Sequence, residues 1–275
     1  MFGAVIGDVI GSPYISKQVD STNFGLLSKE SKFTEITVMT LAVAEAVMHA
    51  MPTQGIICED EIFRRNLIFW MKKFGRKFAH IHYGRKFYKW LHVKKSLPYE
   101  SSSNGAALRI SPIAFAFDNI TDVERFAEIA ARVTTKTDES IKLARTLAGM
   151  IFLARMKKDK DEIKNYFLEQ TGINFLPTLE EFYAKFNFLS IEGIRTSCCD
   201  SIQAALASFI ENENFENSVR TAVYLGGETS ETASMAGALA ETYSGVKILT
   251  EVLVFAKIHK RLRFTVEKWE QWKNE

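Results

Sequence analysis

Apolar residues recur three and four positions apart along most of this chain, the spacing that lines one face of an α-helix. Residues 36–51 (ITVMTLAVAEAVMHAM) run without interruption until Pro52 stops them. Segments 59–74, 122–135, 138–156, 160–170, 200–211 and 215–225 repeat the pattern with charges on the opposite face. Segment 229–243 is rich in Ala and other small residues, which predicts a helix packed on all sides, and 246–273 predicts one or two closing helices before a charged tail. The opening FGAVIGDVIGSP is apolar but has no basic leader, and Asp8 breaks it far short of membrane-spanning length, so it predicts a buried helix. Strand signals are poor. The Asn-Gly at 104–105 does not join two alternating runs but precedes AALRISPIAFAF, which reads as the start of a buried helix. With no repeat or linker-like tract, the pattern predicts one all-α domain spanning residues 1–275.

Glycines 3, 7 and 11 share one helical face, and each costs a helix about 1 kcal/mol relative to Ala. Close approach of a second helix along that stripe would offset the cost. The composition, 275 residues with 47% hydrophobic and 25% charged, excludes a disordered or collagen-like chain. A net charge of +2 is no electrostatic footprint for nucleic acid. The basic stretch 72–90, interleaved with Phe74, Phe78, Tyr83, Phe87, Tyr88 and Trp90, reads as a helix with aromatics inward and lysines outward. His80 and His82 lie in it at the spacing of a weak metal pair, without companion ligands, and read as a surface loop. Cys58, Cys198 and Cys199 form no disulfide framework, and the reading is a cytoplasmic chain that neither crosses a membrane nor binds nucleic acid.

Two segments are unlike helix filler. In Phe33-Thr34-Glu35-Ile36-Thr37, Thr34 is a credible N-cap and Glu35 complements the positive end of the helix dipole. In Leu225-Gly226-Gly227-Glu228-Thr229-Ser230-Glu231-Thr232, a Gly-Gly turn precedes carboxylates and hydroxyls. That run suits another cap, or half of a hard-cation site with oxygen ligands, and composition leaves both open.

Five ordered blocks carry a resemblance: FGAVIGDVIGSPY, FTEITVMTLAVAEA, NGAALRISPIAFAFD, the turn at 133–139, and LGGETSETASMAGALAETYSG. Together they resemble the ADP-ribosylglycohydrolase family, which includes dinitrogenase reductase-activating glycohydrolases and arginine- and serine-directed ADP-ribosyl hydrolases. The resemblance implies a compact all-α bundle. It also implies two Mg²⁺ ions held between a Thr-Asp-Asp-Thr and an Asp-x-Asp-Thr block, where they bind the ribose and polarise its anomeric centre.

Here the first block reads Thr34-Glu35-Ile36-Thr37, and the second has Glu228, Ser230 and Glu231 where the family has Asp, Asp and Thr. The metal set carried over is therefore Thr34, Glu35, Glu228, Ser230 and Glu231, with three carboxylates in place of four Asp, which leaves room for one Mg²⁺ at most. The ligand-facing Phe-Gly-Asn-Gly block reads Ser102-Ser103-Asn104-Gly105, and the Thr-His-x-His turn reads Thr134-Thr135-Lys136-Thr137. Ser103, Asn104, Gly105, Thr135 and Thr137 are the ligand-binding candidates. The expectation is an ADP-ribose-binding or regulatory module, with lost or much reduced hydrolase activity, recognising ADP-ribose or an ADP-ribosylated protein or small molecule. An active hydrolase, using one metal or a Glu acid–base pair among Glu35, Glu228 and Glu231, is the alternative. Structural, crystallin-like use of the fold is the third reading.

Overall fold

A computed structural model of the chain describes all residues except Ser16, Gln18, Pro52, 54–56, 176–177 and Glu275. In chain order the helices are α1 (Phe2–Gly11), α2 (Glu35–Ala50), α3 (Asp60–Lys77), α4 (Arg85–His92), α5 (Gly105–Leu108), α6 (Ser111–Ala116), α7 (Ile120–Arg132) and α8 (Asp138–Arg155). They continue with α9 (Lys160–Thr171), α10 (Leu179–Ile191), α11 (Cys198–Ile210), α12 (Phe215–Leu225), α13 (Thr229–Ser244), α14 (Ile248–Lys257) and α15 (Lys260–Lys273). The fold is all-α, as the periodicity predicts. Among the described residues, the extended pairing is an isolated bridge between Tyr99 and Thr135. No helix among them is long and apolar enough to cross a membrane.

Local chemistry explains the helix starts. Thr34 accepts the Ile36 N–H at 3.2 Å and caps α2, as its position predicts. Asn119, Asp159, Thr178, Ser197 and Asn214 cap α7, α9, α10, α11 and α12 in the same way, each satisfying a backbone donor that has no intrahelical partner. The predicted stop of α2, Pro52, lies outside the described residues, and Met51 is the C-cap.

The chain divides into two compact units, Met1–Phe33 with Leu153–Ile258, and Thr34–Phe152 with His259–Glu275. In the first, α13 is wrapped by α1, α11 and α12. Every residue from Thr229 to Ala240 is buried, as its small-residue composition predicts. The glycine stripe of α1 lies on this helix. A β-carbon on Gly3, Gly7 or Gly11 would overlap the backbone of Gly237, Ala233 or Thr229, one turn apart in register. Hydroxyls of α13 reinforce the contact: Thr229 Oγ1 donates to the Gly11 carbonyl at 2.8 Å and Ser230 Oγ to the Asp8 carbonyl at 3.3 Å. In the second unit, α2 packs against α3, α6 and α15.

Three sequence expectations are revised. The aromatic stretch forms two helices, α3 and α4, because 78–84 turns between them with His80 and His82 exposed. The helix predicted over 122–135 ends at Arg132, since Thr134 and Lys136 exchange backbone hydrogen bonds with Tyr99 instead. The apolar run after Asn104 is broken at Arg109, and α6 begins at Ser111 with Pro112 in its first turn, where a missing N–H costs nothing.

Candidate functional site

The residues that open α13 are set by a left-handed turn. Gly226 and Gly227 have φ of 85° and 68°, a region open to glycine at no steric cost. Gly227 is also enclosed: a β-carbon there would come within 2.8 Å of Thr196 Cγ2 and 3.2 Å of the Phe186 ring. The turn therefore packs against the segment joining α10 to α11, and that segment carries Arg195. The Arg195 Nε donates to Glu228 Oε1 at 2.6 Å, and its Nη2 donates to Glu231 Oε1 at 3.3 Å. The two carboxylates are nearly withdrawn from water, with side-chain exposures of 20% and 11%, while Arg195 remains 72% exposed. Two like charges three residues apart on a helix repel, and a guanidinium forked across both relieves that repulsion.

In the second unit, Glu35 is the first residue of α2 and is half-buried, where the helix dipole favours a carboxylate. Ile36 follows it into the core, 3% exposed. Burial, with a contribution from the Glu35 charge, pushes the Tyr83 phenol well above its ordinary range. The Tyr83 hydroxyl is buried with no hydrogen-bond partner among the described residues.

The ligand-binding candidates of this unit gather around the Tyr99–Thr135 bridge. Thr137 Oγ1 accepts the Ser101 N–H at 2.9 Å and donates to Glu100 at 2.9 Å. Thr135 Oγ1 and Ser140 Oγ both donate to the Ser101 carbonyl, at 3.3 and 2.7 Å, and the Ser101 and Ser103 hydroxyls are 2.8 Å apart. Asn104 is buried and Gly105 half-buried at the start of α5. Arg109 anchors that start. Its guanidinium donates to the Gly105 carbonyl at 2.7 Å, to the Ala130 carbonyl at 3.2 Å and to Thr134 Oγ1 at 2.7 Å. Burial lowers its pKa to about 10. These are the bonds of a structural arginine. Ser103, Asn104, Gly105, Thr135 and Thr137 thus lie on one polar loop cluster, while Thr34 and Glu35 open α2 and Glu228, Ser230 and Glu231 open α13.

The donor chemistry bears directly on the Mg²⁺ pair that the resemblance implies. Ile36 has no ligating atom. Ser230 spends its proton on the Asp8 carbonyl, and Glu228 and Glu231 are both engaged by Arg195. Among the described residues, no group of three or more His, Cys, Asp or Glu stands together as a metal-holding cluster. The residues present do not fit two octahedral Mg²⁺ ions. A cavity of about 280 Å³ lined by Met48, His49, Lys268, Gln271 and Trp272 shares none of the residues above.

Two residues beside the candidate site are missed by sequence reasoning. Arg195 stands 33 and 36 residues from its partners, and no periodicity links them. Tyr83 is one aromatic among many in a basic stretch, and only the fold brings Glu35 near it.

The helical architecture is that of an all-α protein with polar loops at the starts of α5 and α13. The sequence profile of the ADP-ribosylglycohydrolase family matches residues 1–267, and the chain belongs to that family. A solved structure described as an ADP-ribosylglycohydrolase-related protein complex aligns over 99% of this chain and 95% of its own, with a TM-score of 0.66 and 18% identity, a likeness in fold. An uncharacterized protein of Archaeoglobus fulgidus is 28% identical over 148 residues, 50% of this chain. The match spans about half of that relative, 48% of its length.

Proposed function

We propose that this chain is a metal-independent ADP-ribose-binding module, derived from the glycohydrolase scaffold and with hydrolase activity lost or much reduced. The observation that carries this reading is the ion pairing of Glu228 and Glu231 with Arg195. A carboxylate paired with a guanidinium is a weaker general base and a weaker metal ligand, because the positive charge favours its ionised form, repels a second cation and already engages one of its oxygens. The polar cluster around Ser103, Asn104, Thr135 and Thr137 keeps hydroxyl and amide groups of the kind that bind ribose and phosphate oxygens. The ligand is free ADP-ribose, or the same group carried on a protein or small molecule.

Calorimetric titration with ADP-ribose, once with Mg²⁺ and once with a chelator, tests the proposal. Equal affinity in both solutions supports it. Binding that requires Mg²⁺, or no binding in either solution, overturns it. Release of ADP-ribose from an ADP-ribosylated peptide at rates typical of an enzyme would favour the active-hydrolase alternative.

A further inference from the structure

The carboxylates that open α13 are not left without a cation. We propose that the Arg195 guanidinium is their resident cation, standing in the place of a divalent ion, and that its presence excludes Mg²⁺ from Glu228 and Glu231. This deepens the metal-independent reading above and rests on it.

Three observations converge. First, one guanidinium spans both carboxylates, through Nε to Glu228 at 2.6 Å and through Nη2 to Glu231 at 3.3 Å. A planar fork of donors can do this, whereas the point charge of a lysine cannot address both oxygens equally well. Second, Arg195 is placed by packing rather than by chance. Its neighbour Thr196 rests against Gly227, the residue that turns the chain into Glu228, and Thr196 Oγ1 lies 3.2 Å from Ser201 Oγ in α11. Ser197, which follows, caps α11 by accepting the Asp200 N–H at 3.1 Å. The segment is thus pinned immediately after Arg195, against the turn and against α11. Third, the substitutions suit an organic cation better than a metal. Glu in place of Asp at 228 reaches one methylene further, towards a guanidinium held on the neighbouring segment, and Ser230 turns its hydroxyl to the α1 backbone.

The electrostatics agree. Glu228 and Glu231 together carry two negative charges, and the tethered guanidinium supplies one positive charge at close range. A divalent ion entering the same place would meet a cation as well as its carboxylates, and it would have to displace the short bond to Glu228 and the longer one to Glu231 before it could take those oxygens.

The test uses metal alone, with no nucleotide present, so that failure here and failure of ADP-ribose binding are separate results. Mn²⁺ is titrated into wild type, Arg195→Met, Arg195→Lys and the triple variant Arg195→Met/Glu228→Gln/Glu231→Gln, and the free-ion EPR signal is followed. Wild type is expected to leave the Mn²⁺ signal intact. Arg195→Met is expected to bind Mn²⁺ at least about tenfold more tightly, and the triple variant to lose that gain. Arg195 is largely exposed, so its replacement leaves the fold standing, which thermal melts of each variant check. Arg195→Lys keeps a charge without the fork and is expected to fall between wild type and Arg195→Met. Wild-type binding equal to that of Arg195→Met would overturn the proposal. So would the absence of any gain in Arg195→Met, or a gain that survives in the triple variant.

Discussion

Gly7 of α1 lies so close to Ala233 of α13 that a β-carbon on Gly7 would overlap the Ala233 carbonyl and come within 2.8 Å of Ser234 Cα. Both obstacles are backbone, which cannot rotate out of the way. Helix propensity alone predicts that Gly7→Ala stabilises α1 by about 1 kcal/mol. Overpacking predicts the opposite sign, at a cost of about 1–3 kcal/mol or more. The packing effect is expected to win, giving a net loss of about 2 kcal/mol and a fall in Tm of about 4–8 °C in a thermal melt. Gly84→Ala is the control, because nothing lies within 4 Å of a β-carbon there. A Gly7→Ala protein that melts at or above wild type would mean that the two helices stand further apart than described.

Glu45 is the buried anchor between α2 and α15. Its carboxylate accepts from Thr265 Oγ1 at 2.8 Å and from Lys268 Nζ at 2.8 Å, and Arg261 lies 3.4 Å away. Removing one partner of a buried ion pair costs about 3–5 kcal/mol. Lys268 and Arg261 retain 29% and 28% exposure and can recover some hydration, so Glu45→Ala is expected at the low end, about 3 kcal/mol. Glu45→Gln keeps an acceptor for Thr265 and is expected to cost less. Urea unfolding measures both. Amide exchange along α15 should accelerate in Glu45→Ala before it does elsewhere.

The α1–α13 contact is legible in the sequence, because three glycines share one face and the facing helix is built from Ala, Ser and Gly. Helix α10 is not, because its apolar residues point in several directions. Phe182 and Phe186 are buried, but Phe188 and Ile191 are exposed, so no clean stripe emerges. Of the candidate site, the caps and the carboxylates are visible at Thr34, Glu35, Glu228 and Glu231. Their electrostatic setting is not. Arg195 pairs through tertiary structure alone, and the Tyr99–Thr135 bridge that gathers the Ser/Thr cluster joins residues with no local signal for pairing.

Tyr83 makes a pH-dependent prediction. Its hydroxyl is buried without a partner among the described residues, and burial followed by the Glu35 charge raises its pKa above the ordinary value of 10.0. The unfolded chain therefore loses this proton first. Above pH 10 the folded state holds more protons than the unfolded state, and stability falls as pH rises. Below pH 10 both states keep the proton and the slope vanishes. Tyr83→Phe removes this contribution, so its stability curve should be flatter than wild type above pH 10. It also removes an unsatisfied buried group, whose desolvation costs about 1–3 kcal/mol, and should be at least as stable as wild type at neutral pH. A loss of stability at neutral pH in the Phe variant would show that the hydroxyl has a partner.

Rebuilding the α13 end of a metal site tests the other half of the resemblance. Ser230→Asp restores a carboxylate that the family pattern has there, and Arg195→Met removes the competing cation. In a chelator the double variant should be less stable than wild type, because Ser230→Asp puts a charge at a position only 3% exposed and loses the hydroxyl bond to the Asp8 carbonyl. A ligand that binds only the folded state restores stability by about 2.7 kcal/mol at a hundred times its Kd. Mg²⁺ is therefore expected to raise the Tm of the double variant by several degrees while leaving wild type unmoved, with Arg195→Met alone between the two. A double variant whose melting ignores Mg²⁺ would show that the opening of α13 does not hold an ion as the resemblance implies, and the correspondence drawn from the five blocks would then fail there while holding for the fold.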